Sequence, residues 1–180
     1  MTDPKNYRPI SLLPLFSKVI ERIIHDQTET FLDENNILYK FQSSFRSCHS
    51  TDTCLSYIHN RITRGFDSGL LSGMILIDLQ KAFDTINHSI LLGKLKTLGF
   101  SDDVILWFQS YLSNRSFRVS LDNRLSDPGK LECGVPQGSI LGPLLFLLYI
   151  NDMPQALENC NLFLYADDSC LLFQHKDVYT

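Results

Sequence analysis

The sequence has few of the features that mark secreted, zinc-stabilised or membrane proteins. Its five cysteines are an odd number without a C-x-x-C pair, which argues against a disulfide framework or a zinc ribbon and predicts reduced, mostly buried thiols. The spacing of Cys48, His49, Cys54 and His59 matches no common zinc site. No signal peptide opens the chain, and the longest apolar run, residues 140–150, is too short to cross a bilayer. We therefore expect an intracellular protein without a membrane span.

Basic residues are also scarce. Lysine and arginine number 16 against 20 acidic residues, giving a net charge of −4. Nucleic-acid-binding domains usually present a basic face, so this balance argues against one. A metal-dependent polymerase must concentrate carboxylates, however, so the charge balance alone leaves that class open. With 180 residues, 44% of them hydrophobic, the chain is long enough for one domain with a buried core.

Apolar periodicity predicts helices along much of the chain. They extend over residues 15–32, 50–64, 86–98 and 102–112, and from 139 to a point before 154. Gly99 is placed as the C-cap of the third helix. Ser139 can cap the last helix, where Pro143 falls near the first turn and its missing amide hydrogen costs least.

Shorter apolar runs predict strands between these helices. They lie at residues 74–77, 117–121, 130–133, 162–165 and 170–173. The first, between Gly73 and Asp78, is apolar throughout, which is typical of a buried central strand. A turn at 127–129 joins the second and third, and a tight acidic turn makes the last two a hairpin. The expected fold class is α+β, with a small, largely antiparallel sheet packed on helices.

Three aspartates stand where predicted strands end. Asp78 follows the first strand, and Asp167 and Asp168 lie in the hairpin turn. If the strands are neighbours, these like charges converge at a cost that a cation would offset. Magnesium prefers carboxylate oxygens, and two ions about 3.5–4 Å apart can stabilise both oxygens of a phosphoryl transfer. Because Asp-Asp is also common in turns for conformational reasons, the pattern needs support from other motifs.

Five segments resemble the motifs of reverse transcriptases and follow one another in the order of that family. Tyr165-Ala166-Asp167-Asp168 resembles the Y-x-D-D signature. The family's first catalytic motif, its P-Q-G motif and the two fingers motifs of its LINE-like subgroup are similar to residues 76–84, 134–143, 6–11 and 41–46, respectively. The Phe-Asp after Lys81-Ala82 favours a non-LTR, jockey-type retrotransposon over a retroviral enzyme.

The resemblance implies the fingers and palm of a right-hand polymerase, with fingers over approximately 1–70, palm over approximately 71–180 and no segment for a thumb. It implies Asp78, Asp167 and Asp168 as catalytic ligands of two Mg²⁺ ions, for which Mn²⁺ can substitute. Asp168 is the weakest of these three assignments.

The resemblance also implies a nucleotide-binding set, which consists of Lys5, Arg8, Phe83, Gln137 and Gly138. Arg8 is similar to the arginine that grips the triphosphate, and Phe83 to the steric gate that excludes a 2′-hydroxyl. Gln137 packs beside nucleotide and template, while Gly138 lets the backbone come close. Arg46 is assigned to phosphate contact with nucleic acid. Position alone also allows a core phenylalanine at 83 and merely solvated cations at 5 and 46.

One position departs from the family pattern. Glycine usually precedes Phe-Arg in the second fingers motif, and Ser44 stands there in this chain. If the backbone at this position had a positive φ, serine would be strained.

The implied reaction is template-directed addition of deoxynucleotides to the 3′-hydroxyl of a DNA primer, with an RNA template and pyrophosphate leaving. The alternative is a non-catalytic retroelement relic, or a remnant that binds nucleic acid or protein. Another two-metal palm enzyme, such as a nucleotide cyclase, would leave the P-Q-G and fingers motifs unexplained.

Overall fold

In the computed structural model, which describes residues 10–177, the helices lie close to their predicted positions. They are α1 (Leu15–Glu34), α2 (Thr51–Asp67), α3 (His88–Thr97), α4 (Asp102–Leu112) and α5 (Leu141–Ile150), with a short 3₁₀ helix at Met153–Ala156. Gly99 has a φ of +90° just after α3, as predicted for its C-cap, and Ser50 caps α2 through its side chain. The second helix continues beyond Gly65, where the sequence predicts its end. None of the described helices is long and apolar enough to span a membrane.

The strands are short apart from two. They are β1 (Leu71–Asp78), β2 (Ser116–Phe117), β3 (Ser120–Leu121), β4 (Arg124–Leu125), β5 (Gly129–Lys130), β6 (Asn161–Tyr165) and β7 (Asp168–His175). A three-stranded antiparallel sheet has the order β1-β7-β6, and two small ladders pair β2 with β5 and β3 with β4. The predicted α+β class and the predicted hairpin are confirmed.

The first strand of the sheet corrects one prediction. We expected residues 74–77 to form a buried central strand, but β1 lies at the edge of the three-stranded sheet and Leu76 is 73% exposed. The central strand is β7, in which Leu171 and Leu172 are buried. An apolar run indicates a strand but does not say how many neighbours pair with it, which explains the error.

The prediction for residues 117–133 is right about the pairing and wrong about the turn: Ser116–Phe117 pairs with Gly129–Lys130, but the tight turn does not lie at residues 127–129. Gly129 belongs to β5 and pairs with Phe117, whereas the tight turn falls at Asp122-Asn123, between the paired residues Leu121 and Arg124. Both turn residues have positive φ, +46° and +60°, as a two-residue hairpin of type I′ requires. Asp and Asn tolerate this conformation better than most residues. The prediction placed the turn at Pro128-Gly129 because proline and glycine are stronger turn signals than Asp122-Asn123.

The cysteines are buried less often than expected. Cys54 and Cys170 are buried, whereas Cys48 and Cys133 are exposed. All five are free thiols. Burial raises the pKa of the Cys54 and Cys170 thiols, which keeps them protonated and unreactive at neutral pH.

Backbone contacts divide the described chain into two units. One contains residues 10–31 and 83–149 and is called the helical unit; the other contains residues 32–82 and 150–177 and is called the sheet unit. In the sheet unit, α2 packs against β1 and β6. Its core combines Cys54 with Phe163, Cys170 and Leu172 of the hairpin.

In the helical unit, α3 packs against α4. Buried residues of these two helices are Leu91, Leu95, Phe108 and Leu112. The next helix, α5, is apolar on every side, and its residues from Leu144 to Leu148 are all buried. This rigid, buried helix follows the P-Q-G segment directly and fixes the end of that loop.

One buried hydroxyl in the helical unit, that of Tyr111, interacts with Glu21 and Ser139 without a well-formed hydrogen bond. The Tyr111 ring stacks on Trp107 at 5.5 Å between centroids, but its hydroxyl makes no hydrogen bond of ordinary geometry with any described residue. Burial first, and the negative charge of Glu21 second, raise the pKa of Tyr111 to about 12 from 10.0. The neutral hydroxyl is therefore the form that the fold accommodates.

We expect Tyr111→Phe to leave stability at neutral pH unchanged or to raise it by up to about 1 kcal/mol, because the hydroxyl that it removes is buried without a well-formed hydrogen bond. A folded-state pKa above the unfolded value means that stability holds below pH 10.0 and falls as pH rises toward 12. The Phe variant should lose less stability over this window. Urea unfolding at pH 8 and pH 11 measures both effects. Tyr57→Phe, at a 40% exposed position, is the control; an equal effect at Tyr57 would contradict the assignment.

Candidate active site

Three predicted metal-binding aspartates lie at one end of the three-stranded sheet. Asp78 ends β1 and stands directly opposite Asp168, the first residue of β7. Asp168 also pairs with Tyr165 of β6, so Ala166 and Asp167 form the two-residue turn of the hairpin. Beyond the paired strands, the Leu79 amide donates to the Asp167 carbonyl at 3.0 Å. The expectation that the strands are neighbours is confirmed.

The register creates a like-charge pair across the sheet. Residues directly opposite in an antiparallel pair carry their side chains on the same face, and two like charges in that relation are destabilising. Asp78 and Asp168 are exposed and Asp167 is half-buried, so water screens part of the repulsion. A bound cation would remove the rest. The repulsion between these carboxylates thus destabilises this end of the sheet, and a bound cation can offset the loss of stability.

The chemistry of the three carboxylates fits a hard divalent ion. Oxygen donors are what Mg²⁺ prefers, and it retains several waters instead of demanding an all-protein cage. Among the described residues, the group whose donor atoms all lie within 4.8 Å of one another is His25, Asp26 and Glu29, on the surface of α1. Asp78, Asp167 and Asp168 do not meet that distance criterion, so their carboxylate oxygens lie farther apart here than in a fully formed site for one ion.

The second fingers motif lies against the outer edge of the hairpin. The Ser43 amide donates to the Leu164 carbonyl and the Leu164 amide donates to the Phe41 carbonyl, both at 3.0 Å. The guanidinium Nη1 of Arg46 donates to the carbonyls of Tyr39 and Gln42 at 3.3 and 3.2 Å. The half-buried Arg46 side chain thus stabilises the loop to which it belongs.

The positive φ considered for Ser44 occurs at the next residue instead. Positive φ occurs at Phe45, with +50°, and Ser44 is not among the residues with positive φ. Ser44 is buried, and its amide and hydroxyl both donate to the side-chain oxygen of Gln42, at 3.1 and 2.9 Å. The hydroxyl bond is one that glycine could not make.

Phe83 and Gln137 meet in the helical unit. The Phe83 carbonyl accepts from the Val135 amide at 2.8 Å, and Nε2 of Gln137 donates to Oδ1 of Asp84 at 2.8 Å. The half-buried Phe83 ring packs on Phe146 with 4.9 Å between centroids. The end of the first catalytic motif and the P-Q-G loop are therefore held together by backbone and side-chain bonds.

Gly138 is needed for a close backbone approach. Its φ is +108°, and a Cβ there would lie 3.2 Å from the Ser11 carbonyl oxygen. The Ser11 amide donates to the Gln137 carbonyl at 2.8 Å, so the last residue of the first fingers motif lies against this loop. Lys5 and Arg8, predicted to contact the nucleotide, lie outside the described residues.

A buried carboxylate supports the other end of the P-Q-G loop. Glu21 of α1 is 1% exposed, and its Oε2 accepts from the amide of Ile140 at 2.7 Å. The same oxygen lies 3.4 Å from the Leu141 amide, and Ser139 adds its hydroxyl as acceptor for Gly142 at 2.9 Å. A negative charge suits the N-terminus of α5, where amides have no partner within the helix.

We expect Glu21→Ala to destabilise the protein by about 1–3 kcal/mol, because buried amides at the start of α5 lose their acceptor. Glu21→Gln keeps an acceptor oxygen and should lose less. Gln27→Ala, at an exposed position of the same helix, is the control for helix propensity. Urea unfolding compares the three; a Glu21→Ala loss no larger than the control's would contradict this capping role.

Sequence reasoning missed two residues of this arrangement. Asp84 is part of the first catalytic motif, yet nothing in that motif alone indicates that its side chain reaches Gln137. Glu21 lies in a helix with polar residues on several sides. What distinguishes it is its hydrogen bond with the start of α5, which is far away in the sequence. Both contacts link segments far apart in sequence.

Comparisons with known proteins agree with the motifs. The sequence pattern of the family "Reverse transcriptase (RNA-dependent DNA polymerase)" matches residues 2–179. A probable RNA-directed DNA polymerase from transposon BS of Drosophila melanogaster is 38% identical over 95% of this chain, and that of the mobile element jockey from the same species is 35% identical over 98%. The chain spans about 20% of the length of each.

Solved structures show the same fold. Apo telomerase from Candida tropicalis, truncated from its C-terminal domain, matches with a TM-score of 0.64 at 15% identity, covering 90% of this chain and 35% of that one. Telomerase from the same species in complex with a fragment of telomeric RNA matches with a TM-score of 0.62 at 15% identity, covering 91% and 29%. The predicted right-hand polymerase fold is confirmed. With the family pattern matching nearly every residue, the chain belongs to the reverse transcriptase family, in its non-LTR retrotransposon branch.

Proposed function

We propose that this chain carries the catalytic centre of an RNA-directed DNA polymerase of a retrotransposon. It adds deoxynucleotides to the 3′-hydroxyl of a DNA primer under the direction of an RNA template, inside the cell, and pyrophosphate leaves. The observation that supports this proposal most is the register that sets Asp78 opposite Asp168, with Asp167 in the adjoining turn.

Reverse transcriptases use divalent metal ions, and Asp78, Asp167 and Asp168 are the residues that would hold two Mg²⁺, or Mn²⁺ in their place. Such ions supply charge neutralisation at the attacking and leaving oxygens of the transfer. The chain contributes a rigid support, because backbone pairing fixes Asp78 and Asp168 across one ladder and the Leu79 amide holds the turn at Asp167. Positioning and charge then account for most of the catalysis.

The nucleotide would contact residues of the helical unit. Phe83 supplies an aromatic ring against the sugar, Gln137 an amide, and Gly138 a backbone without a side chain. Support comes from the bonds that join the Phe83 segment to the P-Q-G loop. Arg8 is proposed to grip the triphosphate with Lys5 beside it, and Arg46 to contact nucleic-acid phosphate. The division into fingers and palm near residue 70 stays a prediction.

Primer extension tests the proposal directly. A labelled DNA primer annealed to an RNA template is incubated with the chain, the four deoxynucleoside triphosphates and Mg²⁺, and extension products are separated by length. We expect template-dependent extension that stops when a chelator removes the metal and returns when Mg²⁺ or Mn²⁺ is restored. Binding of the primer–template without any extension would favour the non-catalytic alternative.

A further inference from the structure

We infer that Asp84 is a positioning residue that fixes the orientation of the Gln137 amide and thereby decides which polar groups of an incoming nucleotide Gln137 can bind. The inference rests on the proposed function, since it takes Gln137 as a nucleotide contact. Asp84 itself needs no contact with the substrate. It acts through the hydrogen bond from Nε2 of Gln137 to its Oδ1, at 2.8 Å.

The orientation follows from what each group can donate or accept. An ionised carboxylate only accepts hydrogen bonds, whereas a glutamine amide donates at its nitrogen and accepts at its oxygen. Beside Asp84, Gln137 must therefore turn its nitrogen toward the carboxylate. Its oxygen, on the opposite side of the planar amide, then stays available as an acceptor. If the amide rotated by half a turn, two oxygens would face each other at hydrogen-bond distance.

The backbone holds both partners in register. The amides of Val135 and Gly134 donate to the carbonyls of Phe83 and Ile86, each at 2.8 Å, on either side of Asp84. A Cβ at Gly134 would lie 2.7 Å from the Asp84 carbonyl oxygen, so only glycine permits this close approach. The bond between the two side chains thus spans two segments whose separation is already fixed.

Two further hydrogen bonds join the segments around Asp84 and Gly134. Nε2 of His88 donates to the Gly134 carbonyl at 2.7 Å, and the Cys133 thiol donates to the Asp84 carbonyl at 3.3 Å. Both use backbone oxygens, so removing the Asp84 carboxylate leaves them in place. The carboxylate is therefore not needed for these contacts, and among the described residues its side-chain hydrogen bond is the one with the Gln137 amide.

A specificity consequence follows. With its nitrogen held by Asp84, Gln137 offers an acceptor oxygen and the second N–H of its amide to a ligand. A nucleotide that donates a hydrogen bond meets a prepared acceptor. Without Asp84, the Gln137 side chain is free to flip its amide and to change rotamer, so only a minor fraction of the molecules presents the acceptor, and affinity falls in proportion to that fraction. Asp84 should then affect the affinity for the deoxynucleotide more than the rate of chemistry.

A double-mutant cycle on nucleotide binding tests this inference. Asp84→Ala, Gln137→Ala and the double variant are titrated in the full chain with a magnesium deoxynucleoside triphosphate, and primer extension provides KM and kcat separately. Each single variant is expected to weaken binding about five-fold, the worth of one hydrogen bond of about 1 kcal/mol. In the Gln137→Ala background, Asp84→Ala should have no further effect. Asp127→Ala, at an exposed position, is the matched control.

A spectroscopic readout separates positioning from a structural role. In the protein labelled with ¹⁵N, the side-chain amide protons of Gln137 should exchange slowly with solvent, and Asp84→Ala should accelerate their exchange while the melting temperature stays near that of the Asp127→Ala control. Asp84→Asn, which can still accept from Gln137, should restore part of the protection.

Three outcomes would overturn the inference. One is a five-fold loss from Asp84→Ala that persists in the Gln137→Ala background; another is unchanged nucleotide affinity in Asp84→Ala. The third is unchanged affinity in Gln137→Ala. In each case the aspartates at the end of the sheet can still support metal-dependent extension, so this failure is distinct from a failure of the proposed function.

Discussion

Asp167→Asn is expected to reduce primer extension at least about a thousandfold, which corresponds to a loss of about 4 kcal/mol of transition-state stabilisation. The substitution is almost isosteric but replaces a charged oxygen ligand with a neutral amide, and hard divalent ions bind the amide far less well. The assay uses an RNA template and a DNA primer in Mg²⁺, with single-nucleotide addition as the readout.

The fold should survive this substitution. The backbone carbonyl of Asp167, not its side chain, accepts from the Leu79 amide, so the turn keeps its anchor. Removing one negative charge near the Asp78–Asp168 pair also relieves repulsion, and the melting temperature is expected to stay equal or rise slightly. Asp127→Asn, at an exposed position between β4 and β5 in the helical unit, is the control. Undiminished extension by Asp167→Asn would refute the metal-binding role.

Sequence reasoning located the aspartates because local patterns and order in the chain were sufficient. A short apolar run before Asp78 and a tight acidic turn between two apolar strands each define a local structure, and both are confirmed. What these patterns could not give is the pairing. The order β1-β7-β6 makes the strand of Asp78 an edge strand, because pairing depends on contacts between segments about 90 residues apart.

Predictions failed where a residue's environment is set by distant partners. In the sequence, Glu21 is one of several polar residues of a helix, yet its carboxylate accepts a hydrogen bond from the start of α5, 119 residues later in the chain. Asp84 is similar, since its partner Gln137 lies 53 residues later. Phe45 shows the complementary error: the family pattern pointed to Ser44 as the strained position, whereas the chain takes its positive φ one residue later.

The surroundings of Phe83 bear on a question that its position in the sequence left open, namely the role of its ring. A buried core phenylalanine and a steric gate were both consistent with the sequence. The ring is half-buried and packs on Phe146, so part of it contributes to the core and part remains accessible. A ring supported from one side is rigid enough to exclude a hydroxyl on the other.

Phe83→Val is therefore expected to admit ribonucleotides. The smaller side chain leaves room where the ring stood, and a preference for deoxynucleotides that depends on steric exclusion should fall by about a hundredfold or more, equivalent to about 3 kcal/mol. Incorporation of each sugar type is measured as kcat/KM in primer extension with a ribonucleoside or a deoxynucleoside triphosphate. Phe83→Tyr retains the ring and should retain the preference.

Loss of packing must be separated from loss of the gate. Removing part of a half-buried ring should lower the free energy of unfolding by less than a Phe-to-Ala change in a core, which typically lowers it by about 3–5 kcal/mol. Phe108→Leu changes a fully buried ring of α4 that packs against Phe100, destabilises the same unit and should leave the sugar preference unchanged. If Phe83→Val selects sugars as the unmodified chain does, the ring is a core residue and another group excludes the 2′-hydroxyl. If Phe108→Leu relaxes selection equally, the effect comes from destabilisation and not from the ring.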